Sequence, residues 1–230
     1  MTLERIDYAD GAVALTGWLA RPVGTPRGAI VIWPTIMNVN APIERRAQML
    51  AQAGFLALIA DFYGTSVTDF AHARDLADAL RADVDAYRRR IGAGVAALRA
   101  RAGGLTLSAI GWCMGGQAAL EAARAGEDLA LVASFHGILS TDRAATAIAS
   151  RVFISHGDAD PLVPRAQVLA FWEEMDAAGA NWHFHSYAGV KHGFTDPGSD
   201  ARGMPAIGYD ASADRQSWAA LNGLLDEIYP

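Results

Sequence analysis

Short, wholly apolar runs alternate along this chain with longer stretches whose apolar residues recur every three or four positions. Residues 28–33 (GAIVIW) and 55–60 (FLALIA) are too short for helices and are bounded by turn residues, the pattern of strands buried on both faces. Residues 105–110, 129–135, 151–155 (RVFIS) and 182–187 continue the series. Residues 3–20 alternate loosely and predict two strands joined by a turn near Asp10-Gly11. Between the strands lie helical stretches. Asn40 can cap the first, with Pro42 in its opening turn and Gly54 beyond its end. Across residues 71–102, Leu76, Leu80, Val84, Tyr87, Ile91, Val95 and Leu98 form one apolar stripe. This segment reads as one long helix or two shorter ones, weakened at Gly92 and Gly94. Further helices are expected over 117–125, 166–178 and 211–228. Strand and helix alternate throughout, which predicts an α/β fold in a single domain over residues 1–230. Its sheet should be mostly parallel, with helices on both faces and a site beyond the carboxyl ends of the strands.

The stretch LTLSAIGWCMGGQ, residues 105–117, stands out. A strand, a glycine-flanked turn and an alanine-rich helix follow one another, which is the sequence form of a nucleophile elbow with Cys113 at its tip. Small residues are needed at Gly111 and Gly115, because the turn strains the middle residue and brings neighbouring backbone close. Trp33 and Trp112 each end a buried strand and are expected to be core in part.

A thiol needs an imidazole to take its proton and a carboxylate to orient that imidazole. In this topology the order along the chain is nucleophile, acid, histidine. The segment after RVFIS, HGDADPLVP, offers Asp158 and Asp160; the turn-forming Gly157 three residues ahead favours Asp160. Of the six histidines, His192 falls just after the last strand, in VKHGF, where a triad histidine belongs. His183 and His185 alternate inside the predicted strand, His72 lies on a helix, and His136 and His156 lie at strand tips. No pair has convincing metal-ligand spacing, so no metal is expected. The two donors of an oxyanion hole are assigned to the backbone N–H groups of Met114 and, in the loop after GAIVIW, of Ile36.

Composition narrows the field. With 52% hydrophobic residues in 230, the chain can bury a large core, and its net charge of −6 argues against nucleic-acid or basic membrane-surface partners. One cysteine excludes an intrachain disulfide. No apolar run reaches membrane-spanning length, and the opening MTLERIDYAD lacks the basic start and apolar core of a secretory signal, so a cytoplasmic protein is expected. The chain is read as a monomer or small homo-oligomer.

The chain resembles the dienelactone hydrolase family of α/β hydrolases. The resemblance rests on ADFYG (60–64), IGWCMGG (110–116), SFHG (134–137), HGDADPLVP (156–164), KHGF (191–194) and YDASADRQSW (209–218), and runs through nearly the whole length. It implies an α/β-hydrolase fold and a triad of Cys113, His192 and Asp160, acting without metal or cofactor. Two departures accompany it. The best-studied members carry a glutamate, which helps switch on the thiol, where this chain has Thr35. They also carry a substrate-binding arginine shortly after the histidine, where this chain has Asp196; Arg74 and Arg81 are the candidate replacements. Thr35, Tyr63, Trp112 and Phe194 are expected to line the substrate pocket. The expected activity is hydrolysis of small carboxylic esters or lactones through an acyl-thioester on Cys113. The alternative is a catalytically weak binding or sensing protein on the same scaffold, because position 35 lacks the activating carboxylate.

Overall fold

The structure, a computed structural model, describes residues 2–230. Eight strands form one sheet: β1 (Glu4–Asp10), β2 (Val13–Ala20), β3 (Gly28–Trp33), β4 (Phe55–Ile59), β5 (Leu107–Trp112), β6 (Leu131–Phe135), β7 (Arg151–Gly157) and β8 (Trp182–Tyr187). Their order across the sheet is β1-β2-β4-β3-β5-β6-β7-β8. The β1–β2 and β2–β4 pairs are antiparallel and the rest parallel. Gly11 turns the opening hairpin at φ 57°, a conformation glycine adopts without steric cost.

The helices are α1 (Ala41–Gln52), α2 (Phe70–Arg81), α3 (Val84–Arg99), α4 (Met114–Arg124), α5 (Arg165–Ala177) and α6 (Ala211–Ile228), with one 3-10 turn at Asp200–Arg202. They cover the two faces unequally. Ala29, Val31 and Trp33 of β3 pack toward α2–α5, with Ile91, Val95, Ala119 and Phe171. Ile30 and Ile32 of the same strand pack toward α1 and α6, with Leu50 and Leu221. This alternation is the two-residue period of a strand buried on both sides. No helix among the described residues is long and apolar enough to cross a membrane.

The 71–102 stretch is two helices, and the break falls at Ala82-Asp83 rather than near Gly92 and Gly94. Asp83 caps α3 by accepting the N–H groups of Asp85 and Ala86. Gly94 instead makes room for a neighbour: a Cβ there would lie 2.5 Å from the Trp33 ring, whereas one on Gly92 would meet only the Glu127 carboxylate at 3.1 Å. Helix α4 also begins earlier than the alanine-rich run suggests, at Met114, immediately after the elbow.

The two glycines should therefore respond oppositely to alanine. Helix propensity favours Ala over Gly by about 1 kcal/mol. At Gly92 the neighbour is the end of the flexible Glu127 side chain, which can swing aside, so Gly92→Ala should stabilise by roughly 0.5–1 kcal/mol in urea unfolding. At Gly94 overpacking against a rigid indole costs about 1–3 kcal/mol, so Gly94→Ala should destabilise.

Candidate active site

A sharp turn joins β5 to α4. Cys113 adopts φ 56° and ψ −120°, a conformation that costs an L-residue on the order of 1–3 kcal/mol and persists only where its surroundings fix it. Its N–H donates to the Phe135 carbonyl at 3.0 Å and its carbonyl accepts the Gly116 N–H at 3.0 Å. A Cβ on Gly111 would run into the Gly115 carbonyl oxygen, and one on Gly115 into the Trp33 carbonyl oxygen. The glycines let strand and helix approach closely enough to hold the sulfur up at the edge of the sheet, between β3 and β6.

Three groups converge on that sulfur. The His192 ring and the backbone N–H groups of Met114 and Ile36 lie near enough to it to favour its charged form. Met114 opens α4, so the positive end of the helix dipole also faces the sulfur. On the imidazole's other nitrogen, Nδ1 lies 2.7 Å from Asp160 Oδ2, and both side chains are buried. Asp160 is fixed in turn, accepting the Leu162 N–H at 2.9 Å. Gly157 permits this meeting of loops. A Cβ there would sit 2.5 Å from the Val190 carbonyl oxygen, which instead accepts the Ala159 N–H at 2.9 Å. The other candidate acid, Asp158, pairs with the exposed Arg165.

Burial pushes the Cys113 thiol up. The charge and hydrogen bond of His192, with the two N–H donors, more than offset this and hold it below its ordinary value. Burial pushes His192 down, but the Cys113 charge and the hydrogen bonds to Asp160 and Cys113 prevail, and the imidazole is pushed up to about 10. Opposite shifts of this kind favour a thiolate–imidazolium pair, whose protons belong to the two groups jointly.

The loop that presents Ile36 is organised by a residue that the sequence pattern did not single out. Asp61 follows β4 and accepts Asn38 Nδ2 at 2.7 Å, the Tyr63 N–H at 2.9 Å and the Thr16 N–H at 3.0 Å. Asn38 sits at φ 58° and closes a turn onto the Thr35 carbonyl at 2.9 Å. Tyr63 donates its hydroxyl to the Ile36 carbonyl at 3.0 Å, so it braces the loop beside the sulfur. The available signal was a carboxylate placed immediately after a wholly apolar strand.

Two expected pocket residues are corrected. Phe194 is fully buried in a cluster with Val190, Ala213 and Tyr187, so it offers no surface to a ligand. Trp112 is directed by strand alternation into the α1/α6 layer, where it stacks on Phe135 at 5.1 Å. Trp33 is likewise wholly core. The Thr35 hydroxyl accepts the Met37 N–H at 3.3 Å within its own turn. Of the candidate arginines, Arg74 is exposed on α2. Arg81 lines a groove of about 310 Å³ with Asp78, Tyr87, Gln117 and Ile138. The Tyr87 hydroxyl donates to the Met114 carbonyl at 3.3 Å, which joins this groove to the first turn of α4. Asp196 forms an ion pair with Arg202 and accepts the Gly198 N–H. Among the described residues, no group of three or more His, Cys, Asp or Glu side chains is placed to hold a metal ion.

A positive-φ residue at the top of a central parallel strand, leading straight into a helix, is the elbow of the α/β-hydrolase fold, and this chain has that fold. A metagenomic protein described as a dienelactone hydrolase-like promiscuous phosphotriesterase superposes with a TM-score of 0.95 at 34% identity, covering 100% of this chain and 99% of the other. The dienelactone hydrolase of Anabaena variabilis superposes with a TM-score of 0.66 at 19% identity, over 94% and 95% of the two chains. The chain belongs to the dienelactone hydrolase family, whose sequence profile matches residues 15–229. Among curated relatives, a Bradyrhizobium protein named a probable 2-oxo-3-(5-oxofuran-2-ylidene)propanoate lactonase is 28% identical over 222 residues, 87% of each chain. An uncharacterised Caenorhabditis elegans protein is 37% identical over 127 residues, 54% of this chain and 80% of its own.

The electrostatics can be checked without a substrate. Ultraviolet absorbance of the thiolate should report Cys113 ionising below its ordinary value in the wild type. In His192→Ala burial loses its main opponent, so the same titration should move upward by at least about one pH unit.

Proposed function

We propose that this protein hydrolyses small carboxylic esters or lactones through a Cys113 nucleophile. The observation that carries the reading is the meeting of imidazole and carboxylate beside the Cys113 sulfur, with the N–H groups of Ile36 and Met114 close to the same sulfur. The thiolate attacks the carbonyl carbon, and the Ile36 and Met114 N–H groups hold the oxygen as it becomes negative. His192 gives its proton to the departing alkoxide, leaving an acyl-thioester on Cys113. Water, deprotonated by His192, then cleaves the thioester and restores the pair. Asp160 keeps the imidazole in the correct tautomer and stabilises its cation.

Family membership supports hydrolysis, and the lactonase relative supports a cyclic ester. The same pairing weighs against a catalytically weak sensor, because His192 and the two N–H donors lower the thiol without a carboxylate at Thr35. Arg81, in the groove beside α4, is proposed to hold the carboxylate of acid-bearing substrates. The N–H pair can also hold a phosphoryl oxygen, and a relative 34% identical across the full length is named a promiscuous phosphotriesterase. A phosphotriester therefore belongs in the substrate panel.

Cys113→Ala should lower kcat on every ester and lactone in that panel by at least about 10³-fold. Full activity in this variant would remove the assignment. Arg81→Gln should raise KM for a carboxylate-bearing lactone by about tenfold while leaving neutral aryl esters unchanged.

Plotted against pH, kcat/KM should be bell-shaped. Activity appears as pH rises through the ionisation of the pair, below the ordinary thiol value. It is lost again near the value of about 10 at which His192 gives up its proton.

A further inference from the structure

A second buried imidazole packs against His192. His136 directly follows β6, is 3% exposed, and holds φ 41°, a left-handed conformation that a side chain rarely keeps without a reason in its surroundings. Its ring lies edge-on to His192, with centroids 5.0 Å apart and planes at 69°. It meets Phe194 in the same way, at 5.4 Å and 76°. Its backbone N–H donates to the Ser155 carbonyl at 2.8 Å, so this residue is anchored to the central sheet.

The segment carrying His192 is held at its near end by the Ala159 N–H on the Val190 carbonyl and at His192 by a backbone bridge to Ile207. Between the end of β8 at Tyr187 and the start of α6 at Ala211 it contains only the 3-10 turn. Thr195, three residues beyond His192 and itself buried, adds an attachment to the central sheet on the far side of the histidine. Its hydroxyl shares a 2.9 Å hydrogen bond with His136 Nε2. Its carbonyl accepts from Arg46 of α1 at 3.3 Å. Arg46 forms a buried ion pair with Asp214 of α6 and lies 4.7 Å over the Trp218 ring. One loop residue is thus tied to the sheet through its side chain and to the α1/α6 layer through its backbone.

We infer that His136 and Thr195 are positioning residues: their hydrogen bond fixes the loop so that the His192 ring meets the Cys113 sulfur. The inference rests on Cys113 and His192 being the reacting pair. The charge balance agrees with it. Burial first, then His192, Arg46 and Arg202, hold His136 well below the ordinary histidine value. It is therefore neutral beside an imidazole that must carry a proton. A cation at His136 would face His192, Arg46 and Arg202 together.

The test compares Thr195→Val, which removes the hydroxyl but keeps shape and carbonyl, with His136→Phe, which keeps ring packing, and Thr195→Ser, which restores the hydroxyl. Two quantities are read on proteins shown by thermal melting to be folded: the pH dependence of Cys113 alkylation by iodoacetamide, and the single-turnover acylation rate with an activated aryl ester. Thr195→Val and His136→Phe should move the alkylation midpoint up by about one pH unit and slow acylation by roughly 10–100-fold, with KM nearly unchanged. Thr195→Ser should stay within about threefold of the wild type. If His136→Phe does not fold, Thr195→Val decides. A folded Thr195→Val on the wild-type pH curve, acylating at the wild-type rate, would overturn the positioning role. A wild-type midpoint at the ordinary thiol value would instead overturn the Cys113–His192 pairing beneath it.

Discussion

The site depends on a charge pair formed where burial opposes charge. Taking the Cys113 sulfur out of water favours the neutral thiol, and taking His192 out of water favours the neutral imidazole. Each opposes the other's tendency, because a thiolate and an imidazolium side by side attract each other. In such surroundings the attraction between two ions is screened far less than in water, but it counts only if the geometry is held. Asp160 at 2.7 Å and the N–H groups of Ile36 and Met114 do that holding.

Much of the remaining structure serves that geometry. The elbow glycines bring β5, α4 and β3 within backbone contact. Asp61 gathers Asn38, Tyr63, Gly64 and Thr16, and so shapes the turn that aims Ile36. Buried ion pairs secure the layers on either side. Arg124 of α4 joins Glu121 and Glu174 on one face, and Arg46 joins Asp214 on the other. Removing one partner of such a pair strands the other charge, which costs about 3–5 kcal/mol. These pairs therefore fix the relative placement of helices whose loops meet at the site.

The features legible in the sequence are those dictated by local sterics or by spacing along the chain. The elbow at Cys113 was readable because only small residues tolerate its turn. Asp160 and His192 were readable because loop position after a strand constrains where a carboxylate and an imidazole can meet. The span of α6 followed from its amphipathic period. What escaped depends on direction and distance. Trp112 and Phe194 sit close to the site in sequence, yet strand alternation and loop folding turn their rings into the core. The α2–α3 break escaped because a capping aspartate outweighed the two glycines, one of which answers to Trp33. Asp61 and the His136–Thr195 contact join segments dozens of residues apart, and no local pattern announces them.

Thr35 gives the account its particular character. Where well-studied members of the family carry an activating glutamate, this turn uses its threonine hydroxyl internally, and the thiol is governed by His192 and two backbone donors. On the proposed reading, the site is thus built with its nucleophile already favoured toward the thiolate. The most direct test is rapid-quench mass spectrometry of the intact protein, and of its peptides, during turnover of an activated ester. The account predicts a transient acyl adduct on the peptide containing Cys113, forming faster than steady-state turnover and decaying to unmodified protein. Turnover with the adduct on another residue, or with Cys113 never acylated, would contradict it.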